Sequence, residues 1–170
     1  METEKQKPRR KQIRLKEVSY NDVGAYFITI CTKEKRKLLC EIKTDPIASA
    51  PTVQDYEAGR YVRLQLEEMG DFYDTVKLDR YVVMPNHIHM ILMIPGGTRD
   101  EHTNRQNSVV SKFVGSFKRF SNKKAKSDLW QTRYYDHIIR NEREYLEICE
   151  YIDSNPAKWS EDGLYVADPL

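Results

Sequence analysis

The sequence predicts an α+β fold in which helices pack against an antiparallel sheet, and three observations support this. Two segments rich in aliphatic and β-branched residues, 76–84 and 87–94, are separated only by Pro85 and Asn86, which is typical of a β-hairpin. Segments with apolar residues at helical spacing alternate with the predicted strands. At 170 residues, the chain is long enough for one domain with a substantial core.

The first half of the chain predicts one strand and one helix. Residues 24–32, GAYFITICT, are rich in β-branched and aromatic residues and predict a strand covered on both faces. Residues 43–52 predict a loop because they contain Pro, Ser and Asp. A helix is predicted over 55–73, and Gly70 is expected to stop it. Its apolar residues recur near helical spacing: Tyr61, Leu64, Leu66 and Met69.

The second half continues from the hairpin with two helices and a strand. Residues 95–107 are polar and aperiodic, which predicts a flexible loop. Residues 108–120 predict an amphipathic helix with a basic outer face. Its apolar residues are Val110, Phe113, Val114, Phe117 and Phe120. A short strand is predicted over 133–140 and a last helix over 141–156, which ends there because a residue before proline is disfavoured in the α region.

The order of these elements predicts the topology. Without the last helix it is βαββαβ, the pattern of ferredoxin-like folds, in which two helices cover one face of an antiparallel sheet. We expect the additional C-terminal helix to lie on the open face. Residues 1–19 are predicted to form a basic flexible tail, and residues 20–170 a single domain.

Basic residues are concentrated in two segments, although the formal net charge is only +2. The first sixteen residues contain seven basic and two acidic side chains. The segment 112–126 contains six basic side chains and no acidic one: Lys112, Lys118, Arg119, Lys123, Lys124 and Lys126. This asymmetry fits a polyanionic partner such as nucleic acid, and it also fits an ordinary solvated surface.

The cysteines and the apolar segments indicate a cytoplasmic protein. Cys31, Cys40 and Cys149 are odd in number and never spaced as CxxC, which argues against a disulfide scaffold and a thiolate zinc site. The N-terminal residues are polar and basic, unlike a signal peptide. The longest apolar run, 87–95, is too short to cross a bilayer, so no membrane contact is expected.

Two histidines, His87 and His89, stand one residue apart within the apolar segment MPNHIHMIL. Residues i and i+2 of a strand point to the same face, so the two imidazoles can share one metal ion. The alternative is a hydrogen-bonded pair at a sheet edge. Position 91 is Ile91 rather than a third histidine, which excludes a nucleotide-binding histidine triad.

The last helix presents a phenol and an amide together. Its apolar stripe consists of Tyr145, Ile148, Cys149 and Ile152. Helical spacing places Tyr151 at the edge of this stripe and Asn155 one turn further along the same edge. These two groups are candidates for a site shared with the histidines. The alternative is that Tyr151 packs in the protein and that Asn155 is simply the residue before a proline.

Tyr151 is one of five tyrosines in the final 40 residues, and the other four fit a site less well. Tyr134 and Tyr135 are on a predicted strand, where aromatic residues are common for packing. Tyr145 belongs to the apolar stripe, so we expect its ring in the core. Tyr165 follows the last helix, and nothing in the sequence is expected to hold it near a metal.

Four motifs, in order along the chain, resemble those of the single-tyrosine HUH transposases, and most closely the REP-associated tyrosine transposases. They are VVMPNHIHMIL at 82–92, LWQ at 129–131, YYDHIIR at 134–140 and EYIDSNP at 150–156. The resemblance extends over nearly the whole chain, from residue 24 to Trp159.

The resemblance implies a metal-dependent enzyme that nicks and rejoins single-stranded DNA at hairpin-associated sites, as a monomer or homodimer. It implies metal ligation by His87, His89 and Asn155, and a 5′-phosphotyrosine intermediate at Tyr151. The implied cofactor is Mg²⁺ or Mn²⁺. Imidazole pairs also suit Zn, Fe, Ni or Cu, and manganese accepts both imidazole and oxygen ligands, so we expect the strongest activity with Mn²⁺.

The basic helix is expected to bind the DNA backbone, because Lys and Arg make most phosphate contacts. The residues predicted to do so are Lys112, Lys118, Arg119 and Lys123.

Two rival functions remain. One is a non-catalytic relative that binds DNA hairpins. The presence of Tyr151 and both histidines argues against this loss of catalysis. The other is a phosphodiesterase that uses water on a small nucleotide, which the basic helix and the lack of a Gly-rich phosphate loop disfavour.

Overall fold

The computed structural model describes residues 24–45, 47–95 and 108–167. The expected tail at 1–19, its boundary with the domain predicted from residue 20, and residues 96–107 of the loop predicted at 95–107 lie outside the described residues. The strands are β1 (Gly24–Cys31), β2 (Cys40–Lys43), β3 (Thr52–Asp55), β4 (Lys77–Met84), β5 (His87–Ile94) and β6 (Tyr135–Ile139). The helices are α1 (Glu57–Phe72), α2 (Val109–Ala125) and α3 (Glu142–Ser154).

Four strands form one antiparallel sheet in the order β4-β5-β1-β6. With α1 between β1 and β4 and α2 between β5 and β6, this is the predicted ferredoxin-like arrangement. The β4–β5 hairpin turns at Pro85 and Asn86, as predicted. Strand β1 lies in the centre and pairs with both β5 and β6.

A small hairpin of β2 and β3 lies between β1 and α1. Its two strands flank the predicted loop at 43–52 and were not themselves predicted. Each strand has four residues, too few for an alternation of polar and apolar residues to stand out. The segment before this hairpin closely approaches α1. A Cβ atom on Gly59 would stand 1.9 Å from the carbonyl oxygen of Leu39, so only glycine fits there.

The main core lies between one face of the sheet and the helices α1 and α2. Its buried side chains include Tyr26, Ile28, Ile30, Val62, Leu66, Met69, Phe113 and Phe117. Two details of the predicted α1 are wrong. Leu64 is 46% exposed, whereas Gln65 is buried, because the helix is rotated relative to the predicted stripe. Gly70 does not stop the helix, which continues to Phe72.

Helix α3 covers the opposite face of the sheet, as expected. It packs through Cys149 and Ile152 against Ala25, Ile91 and Ile139. The Asn141 side chain accepts a hydrogen bond from the Glu144 backbone N–H and begins the helix. Among the described residues, no helix has the length and apolar character needed to cross a membrane.

Candidate metal and nucleophile site

His87 and His89 lie side by side on the face of β5 that α3 covers. Their ring centroids are 4.5 Å apart, and both side chains are buried. Strand β1 places Cys31 opposite His87 and Thr29 opposite His89. The shared face follows from the alternation of side chains along a strand, as predicted from the spacing.

A hydrogen bond at each imidazole Nδ1 fixes the orientation of its ring. His89 Nδ1 lies 2.8 Å from Thr29 Oγ1. Asn86 Nδ2 donates to the carbonyls of Lys35 and Leu164, so Asn86 Oδ1 must be the atom 2.8 Å from His87 Nδ1. His87 therefore carries its proton on Nδ1 and presents a lone pair at Nε2. Partners of this kind orient metal-binding histidines in other proteins.

Both imidazoles are in the neutral form that binds metals. Burial lowers the pKa of His87 to about 4. Burial and the neighbouring His87 lower the pKa of His89 to about 3. Each neutral ring has one nitrogen with a free lone pair, and in His87 that nitrogen is Nε2, which faces the space between β5 and α3.

Helix α3 brings Tyr151 and Asn155 to the histidines. Tyr151 is 42% exposed, and its hydroxyl oxygen Oη lies 3.2 Å from His89 Nε2. Asn155 is buried one turn later at the end of the helix. Burial and the nearby charge of Asp162 raise the pKa of Tyr151 to about 12, so its phenol is protonated at neutral pH.

Asp162 is the central site residue that the sequence analysis missed. It follows the short 3-10 turn Trp159–Glu161, and its carboxylate Oδ2 accepts hydrogen bonds from Asn155 Nδ2 at 2.9 Å and Tyr151 Oη at 3.1 Å. Oδ2 also lies 4.0 Å from His87 Nε2. No motif or periodicity points to this position, because Asp162 lies outside the helices and strands.

Two buried acceptor atoms in the site have no hydrogen-bond partner within the described part of the chain: His87 Nε2 and Asn155 Oδ1. Unsatisfied buried polar atoms are costly and rare in folded proteins. A cation would satisfy both lone pairs, and imidazole nitrogen together with amide oxygen is a donor set that divalent manganese accepts. The residues present therefore fit the metal that the resemblance implies.

A cleft of about 550 Å³ opens beside the site, on the side of Tyr151 and His89. Its lining includes the aromatic rings of Phe27, Tyr134 and Tyr135 and the side chain of Arg133. Tyr135 is exposed, so its ring is accessible to a molecule that enters the cleft. The sequence indicated Tyr134 and Tyr135 only as packing residues.

The four predicted DNA-binding residues of α2 do not share one environment. Lys112, Arg119 and Lys123 are exposed, on the opposite side of the sheet from the histidines. Lys118 Nζ instead donates to the main-chain carbonyls of Gln131 (2.7 Å), Thr132 (3.2 Å) and Arg133 (3.2 Å). Burial lowers the pKa of Lys118 to about 8, so its ammonium remains charged at pH 7 and supports the segment beside the cleft.

Tyr145 and Tyr165, the two remaining tyrosines near the C-terminus, have partners other than the histidines. Tyr145 was expected in the core, but it is only half-buried, and its hydroxyl donates to Asp79 Oδ2 at 2.7 Å. Tyr165, expected to have no anchor, packs against Trp159 with ring centroids 5.0 Å apart. Trp159 in turn lies against the His87 ring at 6.0 Å, so the segment after α3 encloses the site.

Comparison with known proteins identifies the family. Residues 52–155 match the family model described as IS200-like transposase. An uncharacterized protein of Haemophilus influenzae is 36% identical over 174 residues, which cover 92% of this chain and 93% of that protein. The REP-associated tyrosine transposase of Escherichia coli is 26% identical over 135 residues, which cover 79% of this chain and 67% of that protein.

A solved structure shows the same fold. It is that of a REP-associated tyrosine transposase bound to a REP hairpin, with 21% identity and a TM-score of 0.62 over 90% of this chain and 76% of that one. The family match spans more than half of the chain and contains the HxH strand, Tyr151 and Asn155. The chain belongs to the IS200-like transposase family, as the order of its four motifs predicted.

Proposed function

We propose that the protein cleaves and rejoins single-stranded DNA at hairpin-associated sites through a 5′-phosphotyrosine intermediate on Tyr151. The observation that carries this proposal is the 3.2 Å distance between Tyr151 Oη and Nε2 of His89, the second histidine of the HxH motif. The REP hairpin bound to the solved relative supports a hairpin as the structural feature that is recognised. In this proposal residues 20–170 act as one catalytic domain and residues 1–19 as a basic tail.

His87, His89 and Asn155 would hold the divalent cation, Mg²⁺ or Mn²⁺, through the two Nε2 atoms and Asn155 Oδ1. The buried, unpartnered state of His87 Nε2 and Asn155 Oδ1 supports this assignment. When bound, the cation supplies positive charge that offsets the charge of the scissile phosphate and favours the phenolate of the nearby tyrosine. The protein's own contribution is to hold the three donors and the phenol in fixed positions.

In this proposal Tyr151 is the nucleophile. Its oxygen attacks the phosphorus of a phosphodiester, so the tyrosine–phosphorus bond forms as the bond to the 3′ oxygen breaks. The phenolic proton is lost, and the leaving 3′ oxygen gains a proton, so the net products are a 5′-phosphotyrosine and a free 3′-hydroxyl. Because the link is still a phosphodiester, another 3′-hydroxyl can reverse the step and rejoin the strand.

The cleft beside Tyr151 is where we propose that the single strand enters. Single-stranded nucleic acids bind through bases stacked on aromatic rings and phosphates paired with basic side chains. Phe27, Tyr135 and Arg133 supply both kinds of group next to the nucleophile. The exposed Lys112, Arg119 and Lys123 on α2 are proposed to bind the backbone of the paired part of the hairpin.

A covalent-adduct experiment tests the proposal. The protein is incubated with Mn²⁺ and single-stranded oligonucleotides that carry the hairpins flanking its gene, and adducts that resist denaturant are mapped by peptide mass spectrometry. We expect the nucleotide on Tyr151 and no adduct with Tyr151→Phe. Tyr145→Phe is the control and should form a normal adduct, because the Tyr145 hydroxyl bonds to Asp79 in the wild-type protein.

Three outcomes contradict the proposal. An adduct on Tyr134, Tyr135 or Tyr145 would show that the nucleophile is another residue. Hairpin binding without any adduct would support the non-catalytic hairpin-binding function. Cleavage that survives in Tyr151→Phe would indicate hydrolysis by water.

A further inference from the structure

We infer that Asp162 is a fourth, anionic ligand of the metal site, in addition to His87, His89 and Asn155. This inference rests on the proposed function, because it concerns the same cation. Asp162 reaches the site from the segment after α3, so neither the HxH motif nor the Tyr151–Asn155 pair contains it. Three features of the structure carry the inference.

The first feature is the convergence of the donor atoms. The ligand atoms of His87, His89 and Asp162 all lie within 4.8 Å of one another. Donors that bind one cation at about 2.1 Å are separated by at most about 4.2 Å. Asp162 Oδ2 and His87 Nε2, at 4.0 Å, are already within that span. The remaining pairs need only a small approach of side chains that are already close together.

The second feature is a pair of unpartnered acceptor atoms on two side chains that neighbour Asp162. His87 Nε2 and Asn155 Oδ1 are both buried and lack a partner in the described chain. Asn155 Nδ2 donates a hydrogen bond to Asp162 Oδ2, which holds the Asn155 side chain beside the carboxylate. Among the described residues no Lys or Arg is paired with the Asp162 carboxylate, and the neighbouring His87 is neutral. A buried carboxylate in these surroundings is typical of a cation site rather than a salt bridge.

The third feature is that the Asp162 carboxylate is built into the fold. Its side chain is only 1% exposed. Asp162 Oδ1 accepts a hydrogen bond from the Leu164 backbone N–H at 2.6 Å, which leaves Oδ2 to face the histidines. The Leu164 carbonyl in turn accepts from Asn86 Nδ2 at 2.8 Å, and Asn86 is the residue that orients His87. The same amide therefore positions a histidine and the segment that carries Asp162.

The added carboxylate changes which cations the site favours. Two imidazoles and one amide are neutral ligands, and such a set suits borderline metals such as zinc. A carboxylate adds a hard oxygen and one negative charge, which shifts the preference towards Mn²⁺ and Mg²⁺. This accounts for a magnesium or manganese enzyme that uses two histidine ligands.

The test is Mn²⁺ binding to the full-length protein without DNA, measured by the decrease of the free-ion electron paramagnetic resonance signal. Asp162→Asn retains an oxygen that accepts hydrogen bonds from Asn155 and Tyr151 but removes the charge. We expect its Mn²⁺ dissociation constant to rise at least tenfold. Glu161→Gln, an equal charge change at the exposed neighbouring position, should leave the constant unchanged. Nitrogen hyperfine couplings should show that the imidazoles still bind the ion in Asp162→Asn.

The outcomes separate this inference from the proposed function. If wild type binds Mn²⁺ and His87→Ala abolishes binding, but Asp162→Asn binds as wild type does, Asp162 serves only as a hydrogen-bond acceptor and the inference is wrong. If wild type does not bind Mn²⁺, the inference and the metal part of the proposed function are both wrong. If Mn²⁺ binding depends on Asp162 but no adduct forms on Tyr151, only the proposed chemistry fails. Asp162→Ser, which retains an oxygen for the Leu164 N–H, replaces Asp162→Asn if the latter does not fold.

Discussion

Tyr151 Oη lies 3.2 Å from His89 Nε2 and so joins α3 to β5 across 62 residues of sequence. Contacts at the edge strand β4 hold α3 in this position. Tyr145 donates to Asp79 at one point of the helix, and Arg80 forms an ion pair with Asp153 near its end. The phenol is thus positioned by helix packing rather than by a loop, which is the arrangement that its proposed role as a nucleophile requires.

Loss of either histidine should abolish DNA cleavage without unfolding the protein. His87→Ala and His89→Ala each remove one proposed metal ligand, and we expect no adduct with a hairpin substrate in Mn²⁺. His137→Ala is the matched control, because His137 lies on β6 and bonds to Glu144 instead of entering the site. Circular dichroism checks the fold. Adduct formation at the wild-type rate in His87→Ala or His89→Ala would show that the metal site lies elsewhere.

Thr29→Val should weaken metal binding although residue 29 is not a ligand. The substitution keeps the side-chain shape but removes the hydroxyl 2.8 Å from His89 Nδ1, so the imidazole loses its orientation. Loss of such a partner typically reduces metal affinity or activity about 10–100-fold. Mn²⁺ titration measures the effect, and Thr52→Val on the exposed side of β3 provides the control. Equal affinities for the two variants would mean that packing alone orients His89.

Low pH should destabilise the metal-free protein through the two buried histidines. Their folded-state pKa values, about 4 for His87 and about 3 for His89, lie below the ordinary value of 6.5. Between pH 6.5 and 4 the unfolded chain therefore binds more protons, and the free energy of unfolding falls as pH falls. Urea denaturation in a chelator measures this slope. His87→Gln/His89→Gln should show a flatter slope in this window, and an unchanged slope would contradict the prediction.

Lys118→Met should destabilise the fold more than Lys112→Met. Three main-chain carbonyls lose the ammonium donor of Lys118, of which that of Gln131 is part-buried and those of Thr132 and Arg133 are exposed to water. Because water can replace the donor at the exposed carbonyls, we expect a loss of about 1 kcal/mol, near the net contribution of one hydrogen bond. Lys112 is exposed, so its substitution should change the free energy of unfolding by less than about 0.5 kcal/mol. Chemical denaturation compares the two variants. Equal stabilities would contradict this structural role and would leave Lys118 as a candidate DNA-binding residue, as predicted from the sequence.

Neutralising the exposed cations of α2 should weaken hairpin binding in a salt-dependent way. For Arg119→Gln/Lys123→Gln, we expect the slope of log affinity against log salt to decrease by about 0.9 for each duplex phosphate that the variant no longer neutralises. Fluorescence anisotropy with a labelled hairpin measures the slope. Lys77→Gln on β4, an exposed position on another element, should leave it unchanged. A wild-type slope in the double variant would make α2 an ordinary solvated surface.

Local sequence patterns predicted most of the fold and half of the site. Side chains alternate every two residues along a strand, so the HxH spacing alone placed His87 and His89 on one face. The helical repeat likewise placed Tyr151 and Asn155 on one edge of α3. The order of strands and helices predicted the ferredoxin-like sheet. The short β2–β3 hairpin was not predicted, because a strand of four residues is too short to show a clear alternation of polar and apolar side chains.

Tertiary structure alone decided which distant groups meet these local pairs. Asp162, Asn86 and Thr29 reach the histidines from a 3-10 turn, a hairpin turn and a neighbouring strand, and no fixed spacing in the sequence relates them to His87 or His89. Lys118 was predicted to bind DNA because it belongs to a basic segment, yet packing directs its ammonium to three main-chain carbonyls. Periodicity determines which side chains share a face of one element, whereas contacts between elements depend on how the whole chain packs.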